Sequence, residues 1–208
     1  TVMTDPDAVG FGGEVDQAEL QDELTEAVRT WDDRLLSQPD TATVAALLPG
    51  VPEPYKAAVA PQHAVEDLRR IASLSGAGAF DTRMYLADVE GGVPRFTLYL
   101  AGAPVSLTAV LPLLQQLGVD VLDERPSEFV RADGLRCWLY DFGLEVDDTT
   151  RAAFEDPEVV EAFCTAFRAA WRGDAESDRF SALVLRAGLA WREAAVLRAY
   201  ARYARQLG

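Results

Sequence analysis

The sequence is poor in the residues that most often build metal sites and nucleophilic sites. It contains one histidine, His63, and two cysteines, Cys137 and Cys164. A single histidine excludes zinc or iron sites that need several histidines. The cysteines lie far apart in the chain and have no histidine near them in sequence. We therefore expect both to be small buried residues, with no disulfide and no thiol nucleophile.

The sequence also lacks a run of about 18 apolar residues, the length that a membrane-spanning helix needs. Its first residues lack the basic and apolar regions of a secretory signal. Basic residues are few, because 19 Lys and Arg stand against 34 Asp and Glu, for a formal net charge of −15. Such a charge disfavours phosphate backbones and anionic membranes. We expect a cytoplasmic protein with no nucleic acid partner and no membrane partner.

Residues 1–78 predict a helical lead-in. We expect 1–13, which are small and acidic, to be poorly ordered or to be part of an upstream element. Apolar residues at three- and four-residue steps predict a helix over Glu14–Leu36 and another over Pro61–Leu74.

Between those two helices the sequence predicts a short helix and a connector. The short helix covers Thr41–Leu48, with Asp40 or Thr41 as its cap. Pro49 to Pro61 contains four prolines and predicts an irregular connector. Small residues over Ser75–Gly78 mark the best internal boundary.

Residues 79–175 predict an α+β module with the element order ββαββα. Apolar residues from Leu107 to Leu117 share one helical face, and Gly118 ends that helix. A second helix is predicted over Asp156–Trp171. The predicted strands, in chain order, are Thr82–Asp88, Arg95–Leu100, Val119–Asp123 and Leu135–Leu144.

This order is related to the ferredoxin-like fold, whose amino-acid-binding regulatory modules run βαββαβ. Moving the last strand to the front gives ββαββα. The last strand of that fold lies antiparallel beside the first, so a hairpin can supply it without any change of topology. We therefore predict a two-layer, ferredoxin-like module with an antiparallel four-stranded sheet.

Residues 176–208 predict a helical extension of two helices. Gly188 is placed to end the first, and the second begins near Trp191. Ala190 stands where a capping hydroxyl is usual, so only Glu193 of a capping box remains. Such a long helix cannot bury all its apolar residues alone, which favours docking on a neighbouring domain.

One loop is a candidate ligand site, because it joins a strand to a helix start where backbone N–H groups can hold an anion. The pattern AGAPVS is neither GxGxxG nor a P-loop, so a tight turn is the competing interpretation. The candidate ligand residues are Ala101, Gly102, Ala103 and Ser106.

The acidic pairs of the sequence do not predict catalysis. Asp123 and Glu124 are neighbours on a predicted strand and point to opposite faces, so we expect ion pairing. Asp147, Asp148 and Asp156 lack the spacing of a calcium loop and are better explained as helix caps. We predict no catalytic residue, no cofactor-binding residue and no metal ligand in this chain.

Several long motifs resemble the large bacterial NAD-dependent glutamate dehydrogenases. The most extensive are RFSALVLRAGLAWREAAVLRAYARYARQ and VLPLLQQLGVDVLDERPSEF, and the shorter ones are CWLYDFGL, TWDDRL and AVEDLRRI. The resemblance covers about residues 20–208.

The resemblance implies an internal fragment of a much larger subunit. In that family an N-terminal region of regulatory ACT-like modules and helical motifs precedes a catalytic domain. The whole oxidises L-glutamate to 2-oxoglutarate and ammonia with NAD and assembles as a homo-oligomer. The catalytic lysines and nucleotide-binding glycines have no counterpart here, because Lys56 is the sole lysine and no strand–GxGxxG–helix unit exists.

Three hypotheses follow from the sequence and the resemblance. The first is a regulatory or structural segment that contacts other domains and subunits of the same enzyme. The second is an ACT-like module that senses a small amino-acid effector at the Ala101–Ser106 loop. The third, an independent enzyme based on Asp123 or Glu124, has the least support.

Overall fold

The computed structural model describes residues 29–39, 41–87 and 92–207, and a four-stranded antiparallel sheet lies at its centre. The strands are β1 Phe80–Leu86, β2 Pro94–Ala101, β3 Asp120–Val130 and β4 Arg136–Glu145. Their order across the sheet is β1-β2-β4-β3, with every neighbouring pair antiparallel. The first strand therefore lies at the edge beside β2, as the permuted ferredoxin-like order requires. The predicted α+β fold class is confirmed.

Helices precede and follow this sheet. The α-helices are α1 Trp31–Leu36, α2 Glu53–Ala58, α3 Pro61–Ser73, α4 Leu107–Gln116, α5 Asp148–Ala153, α6 Pro157–Arg172, α7 Leu183–Ala187 and α8 Trp191–Leu207. Two short 3-10 helices cover Ala45–Gly50 and Arg179–Ala182. None of the helices in the described part of the chain is long and apolar enough to cross a membrane.

One face of the sheet packs against α4 and α6. Phe96 lies at the centre of this core, with its ring centroid 4.6 Å from that of Phe167 and 5.8 Å from that of Phe163. All three side chains are fully buried. Removing a buried aromatic side chain of this kind typically costs about 3–5 kcal/mol.

The other face of the sheet packs against α1, α2 and α3. Successive strand residues point to opposite faces, so Leu98 enters the first core while its neighbour Tyr99 enters the second. Leu35, Leu68 and Ile71 cover this second face from the helices. The sheet is thus buried between two helical layers, and the second layer creates the cleft described below.

Several local predictions are confirmed. The Pro61 helix and the Gly188 end of α7 are present, with Gly188 in the left-handed region at φ +64°. The carboxylates of Asp147 and Asp156 accept from backbone N–H groups at the starts of α5 and α6. The Ala190 N–H donates to the Glu193 carboxylate at 2.8 Å, which is the predicted half of a capping box. Both cysteines are free and buried.

Of the predicted helix Glu14–Leu36, the end at Leu36 is confirmed, but 29–30 are not helical and the helix begins only at Trp31. Thr30 has an extended backbone and caps a new helix, α1, in a reciprocal capping box with Asp33. The remainder of that prediction, and the predicted state of 1–13, lie outside the described residues.

The short helix predicted over Thr41–Leu48 is wrong in its bounds and in its cap. A 3-10 helix begins at Ala45, and its preceding residue Val44 gives no side-chain cap. The Thr41 hydroxyl instead donates to the carbonyl oxygens of Leu36 and Gln38, each at 3.3 Å. Asp40 is outside the described residues.

Two elements are longer or more regular than predicted. The proline-rich connector contains α2, because Pro52 is the residue that precedes it and Pro54 lies in its first turn, where a missing N–H is harmless. β3 continues from Asp123 to Val130, because it is an edge strand and can accommodate Pro126. No prediction covered α5, Asp148–Ala153. The tip of the β1–β2 turn, 88–91, is not described.

Candidate functional site

A cleft of about 390 Å³ opens between the α2–α3 corner and the sheet. Its helical wall comes from Pro54, Tyr55, Ala58, Val59, Ala60, His63 and Asp67. Its sheet wall comes from Arg83, Tyr85, Ala87, Arg95, Arg125, Pro126, Ser127, Leu139 and Asp141. The cleft has a charged floor and apolar sides, and it lies within the 300–1,000 Å³ of ordinary ligand pockets.

The cleft forms because one face of the sheet is half apolar and half charged. Tyr99 and Leu139 form part of the apolar half, which the N-terminal helices cover. Arg95 and Asp141 belong to the charged half, and the polar Thr97 lies directly opposite Asp141 in the β2–β4 register. Since helices pack on apolar surface, the charged half is left as the floor of an open cleft.

Arg95 is the central cation of this floor and is only 4% exposed. Its Nε donates to Asp141 Oδ2 at 2.6 Å, and its Nη2 donates to Asp123 Oδ1 at 2.8 Å. Burial is the largest influence on the Arg95 pKa and lowers it, but the hydrogen bonds and charges of Asp123 and Asp141 together raise that pKa. Arg95 is therefore a permanent cation between two carboxylates.

The two carboxylates have opposite environments. The hydrogen bond from Arg95 lowers the pKa of Asp123, which lies nearer the surface. Burial raises the pKa of Asp141, and the charge of Arg95 opposes that effect. The ion pairing predicted for Asp123 is confirmed.

Gly143 allows the Arg95 side chain to reach Asp123. It lies opposite Arg95 on β4, between the strands that carry Arg95 and Asp123. A Cβ at this position would lie 2.5 Å from Asp123 Oδ2 and 3.0 Å from Arg95 Nη1. Any side chain here would push the ion pair apart.

Asp67 connects the helical layer to the sheet. Its carboxylate accepts from the Tyr99 hydroxyl at 2.6 Å, from the Tyr55 hydroxyl at 2.7 Å and from Arg83 Nη1 at 3.1 Å. Burial, followed by the Asp67 charge, raises the pKa of both tyrosines well above its usual value. Both hydroxyls therefore remain protonated donors.

This arrangement is suited to binding and not to acid–base chemistry. Asp67, Asp123 and Asp141 are each held in an ion pair with an arginine, Arg83 for the first and Arg95 for the other two. Within the described ranges, no group of three or more His, Cys, Asp or Glu side chains could hold a metal ion.

The loop predicted as a ligand site lies elsewhere, and none of its four candidate residues lines the cleft. The N–H groups of Ala101 and Gly102 donate to carbonyl oxygens of Ala79 and Arg136, each at 2.9 Å. The Ser106 hydroxyl caps α4 by accepting from the Thr108 N–H. No ligand contact tests this loop, so it stays a prediction.

Sequence reasoning missed the cleft. The sequence does contain a signal for it, because two predicted strands each carry a charged residue beside apolar ones. Arg95 precedes Phe96, and Asp141 lies between Tyr140 and Phe142. Charges at such positions need buried partners.

Two family models match the chain. The model described as glutamate dehydrogenase, ACT3 domain, matches residues 80–157. The model described as glutamate dehydrogenase, helical motif 3, matches residues 175–208. Together they cover more than half of the chain.

Curated relatives match almost the whole chain. The chain is 40% identical to the NAD-specific glutamate dehydrogenase of Mycobacterium tuberculosis (strain ATCC 25618 / H37Rv). The alignment runs over 210 residues and covers 94% of this chain. The NAD-specific glutamate dehydrogenases of Halomonas elongata and Pseudomonas aeruginosa are 33% and 35% identical, each over 93% of this chain. The chain spans only 12% of the length of each of these relatives.

Proposed function

Because the chain belongs to the family of NAD-specific glutamate dehydrogenases, we propose that it is a non-catalytic, regulatory and structural segment of such an enzyme. The observation that carries the proposal is the match of residues 80–157 to the ACT3 domain, a regulatory type of module. The whole enzyme would convert L-glutamate to 2-oxoglutarate and ammonia with reduction of NAD. Glutamate-dependent NADH formation by the chain alone and by the whole subunit tests this.

The chemistry of the described residues supports a role other than catalysis. The charged groups of the cleft floor hold one another in ion pairs, which leaves no carboxylate placed as a general base. NAD would bind to the whole enzyme outside this chain. We further propose that the enzyme is cytoplasmic and homo-oligomeric.

We propose a division of the chain into three parts. A helical lead-in covers 1–78, an ACT-like module covers 79–175, and a helical extension toward the catalytic domain covers 176–208. The second packing layer supports a close association of the first two parts, since Asp67 of α3 binds Tyr99 of β2.

Amino-acid sensing by the ACT-like module is the second candidate function, with the Ala101–Ser106 loop as the contact. The position of this loop before the first turn of α4 favours it. The exchange measurement described in the next subsection, repeated with free amino acids as probes, tests it: protection of 101–107 is expected, and no protection there would contradict it.

The exposed seam of α8, formed by Val196, Tyr200, Tyr203 and Leu207, supports contact with another part of the same enzyme. These residues follow one another at four- and three-residue steps and are each between 54% and 70% exposed. Such spacing is typical of a helix that packs against another helix.

The opposite face of α8 forms ion pairs with other residues of this chain. Arg198 Nε donates to Asp178 Oδ2 at 2.7 Å, and Arg202 pairs with Glu176. The seam therefore faces away from the ACT-like module. Since the chain spans 12% of its relatives, we propose that a segment of the remaining enzyme covers the seam.

Cysteine labelling in the whole enzyme tests this contact. Tyr200→Cys should react with a maleimide at least about tenfold more slowly in the native than in the denatured enzyme, because a partner segment covers it. Arg205→Cys is the control and should react readily in both, because Arg205 lies away from the seam near the end of α8 and its side chain is exposed. Equal native labelling of both positions would show that nothing covers the seam.

A further inference from the structure

We propose that the cleft between α2–α3 and the sheet binds a small carboxylate with a short apolar body. The binding chemistry is inferred from the cleft alone and does not depend on the dehydrogenase activity of the whole enzyme. Only its regulatory consequence rests on the proposed function.

The carboxylates of the cleft have little capacity left to accept hydrogen bonds. Asp67 accepts from two tyrosine hydroxyls and Arg83. Asp141 accepts from Arg95, from Tyr85 at 3.3 Å and from Thr97 at 3.3 Å. A cationic or donor-rich ligand would have to displace these partners.

The donors of the cleft are in surplus. A guanidinium has five N–H donors. In the described chain, Arg125 has one ion-pair contact, its Nε lying 3.6 Å from Asp123 Oδ1, and its side chain is 61% exposed. Arg83 donates to Asp67 through Nη1, and its guanidinium lies over the Tyr85 ring with Cζ 4.6 Å from the ring centroid, so Arg125 has more donors to spare than Arg83. His63 and Ser127 also line the cleft, so its remaining hydrogen-bonding capacity favours an anion.

The planar guanidinium favours a carboxylate or phosphate among anions, because both accept two parallel hydrogen bonds from it. The sides of the cleft discriminate between these two. Pro54, Ala58 and Val59 line it from the helices, and Pro126 and Leu139 line it from the sheet. This apolar surface would make no favourable contact with a bare phosphate, but it can pack against a short hydrocarbon body attached to a carboxylate.

The site would also couple two parts of the chain. Its lining comes from the helical lead-in on one side and from all four strands on the other. A ligand that touches both would stabilise their association. If the proposed regulatory role is correct, the ligand would act by changing the population of this packed state.

Hydrogen–deuterium exchange of the whole enzyme, read by mass spectrometry, tests the site. The probe is 3-phenylpropionate, with its neutral amide, 3-phenylpropionamide, and inorganic phosphate as comparisons. We expect the acid to slow exchange in peptides over 54–63, 83–87 and 125–127. The amide and phosphate should each require at least about tenfold higher concentration for the same protection.

Two variants show whether Arg125 provides the charge. Arg125→Gln should raise the half-saturating concentration of the acid at least about tenfold, and its exposed side chain is not needed for folding. Arg136→Gln is the matched control, because Arg136 is an exposed arginine of the neighbouring strand with one ion-pair partner, Glu128. It should bind as the wild type does.

The proposal is overturned if the cleft peptides show no protection, or if acid and amide protect equally. It is also overturned if Arg125→Gln and Arg136→Gln bind alike. Protection confined to 101–107 would instead place the ligand at the predicted loop, and equal protection by phosphate would remove the apolar part of the inference. None of these readouts uses NADH formation, so failure here leaves the proposed function untouched.

Discussion

Replacing Arg95 by methionine is expected to lower the free energy of unfolding by about 3–5 kcal/mol, the usual effect of breaking a buried ion pair from one side. Methionine keeps the apolar stem of the side chain as far as the position of Nε but removes the guanidinium and every donor. Asp141 would then be a buried carboxylate without its cation, beside Asp67. Urea unfolding followed by tryptophan fluorescence measures the loss.

Two further variants show whether the unpaired carboxylate is the cause. Arg95→Met combined with Asp141→Asn should recover part of the loss, because the uncompensated charge is gone. Asp123→Asn alone should cost about 1 kcal/mol or less, because Asp123 is half-exposed and water screens it. If Arg95→Met were as mild as Asp123→Asn, the central role of Arg95 in the cleft floor would be contradicted.

Replacing Gly50 by alanine is expected to cost about 3 kcal/mol or more, at the upper end of overpacking effects. A Cβ at this position would lie 1.8 Å from the carbonyl oxygen of Val130 and 2.8 Å from its carbonyl carbon. Both atoms are backbone, so they cannot rotate away. The 3-10 helix of the lead-in would have to separate from the end of β3, and a thermal melt would report the loss.

Gly134→Ala is the matched control for this prediction. Gly134 has nothing within 4 Å of its would-be Cβ, but its φ of +79° is unfavourable for alanine. That substitution should cost about 1–2 kcal/mol through backbone conformation alone. A Gly50→Ala variant as stable as Gly134→Ala would mean that the lead-in does not pack closely on the sheet.

The sheet could be predicted because each strand carries its own signal. An apolar run that includes Leu98 and Tyr99 predicts β2, both faces of which are buried, and the ferredoxin-like relation supplies the strand order. The end of β3 could not be predicted, because Pro126 normally stops a strand. Only its place at the sheet edge allows it, and that place depends on the whole topology.

The helical lead-in was harder to predict because local capping overrides apolar spacing. The apolar steps of the sequence continue through Trp31, whereas the Thr30–Asp33 capping box starts a new helix there. Spacing reports which face is apolar, but it does not report where a helix begins.

The cleft could not be predicted because its contacts are distant in sequence. Arg95 and Asp141 are 46 residues apart and meet only in the β2–β4 pair. Arg95 can reach Asp123 only because Gly143, which lies between them, has no side chain. No local sequence pattern indicates this. By contrast, the predicted loop at Ala101–Ser106 was visible as a short motif.

Glutamate-dependent NADH formation, followed by absorbance, is the most direct test of the claim that this chain is a non-catalytic segment of a glutamate dehydrogenase. The chain alone should form no NADH above the enzyme-free control, whereas the whole subunit should. Folded whole-subunit variants Asp67→Asn and Asp141→Asn should keep kcat within about tenfold, since removing a general acid or base typically costs about 10²–10⁴-fold. NADH formation by the chain alone, or a hundredfold loss of kcat in either folded variant, would contradict it.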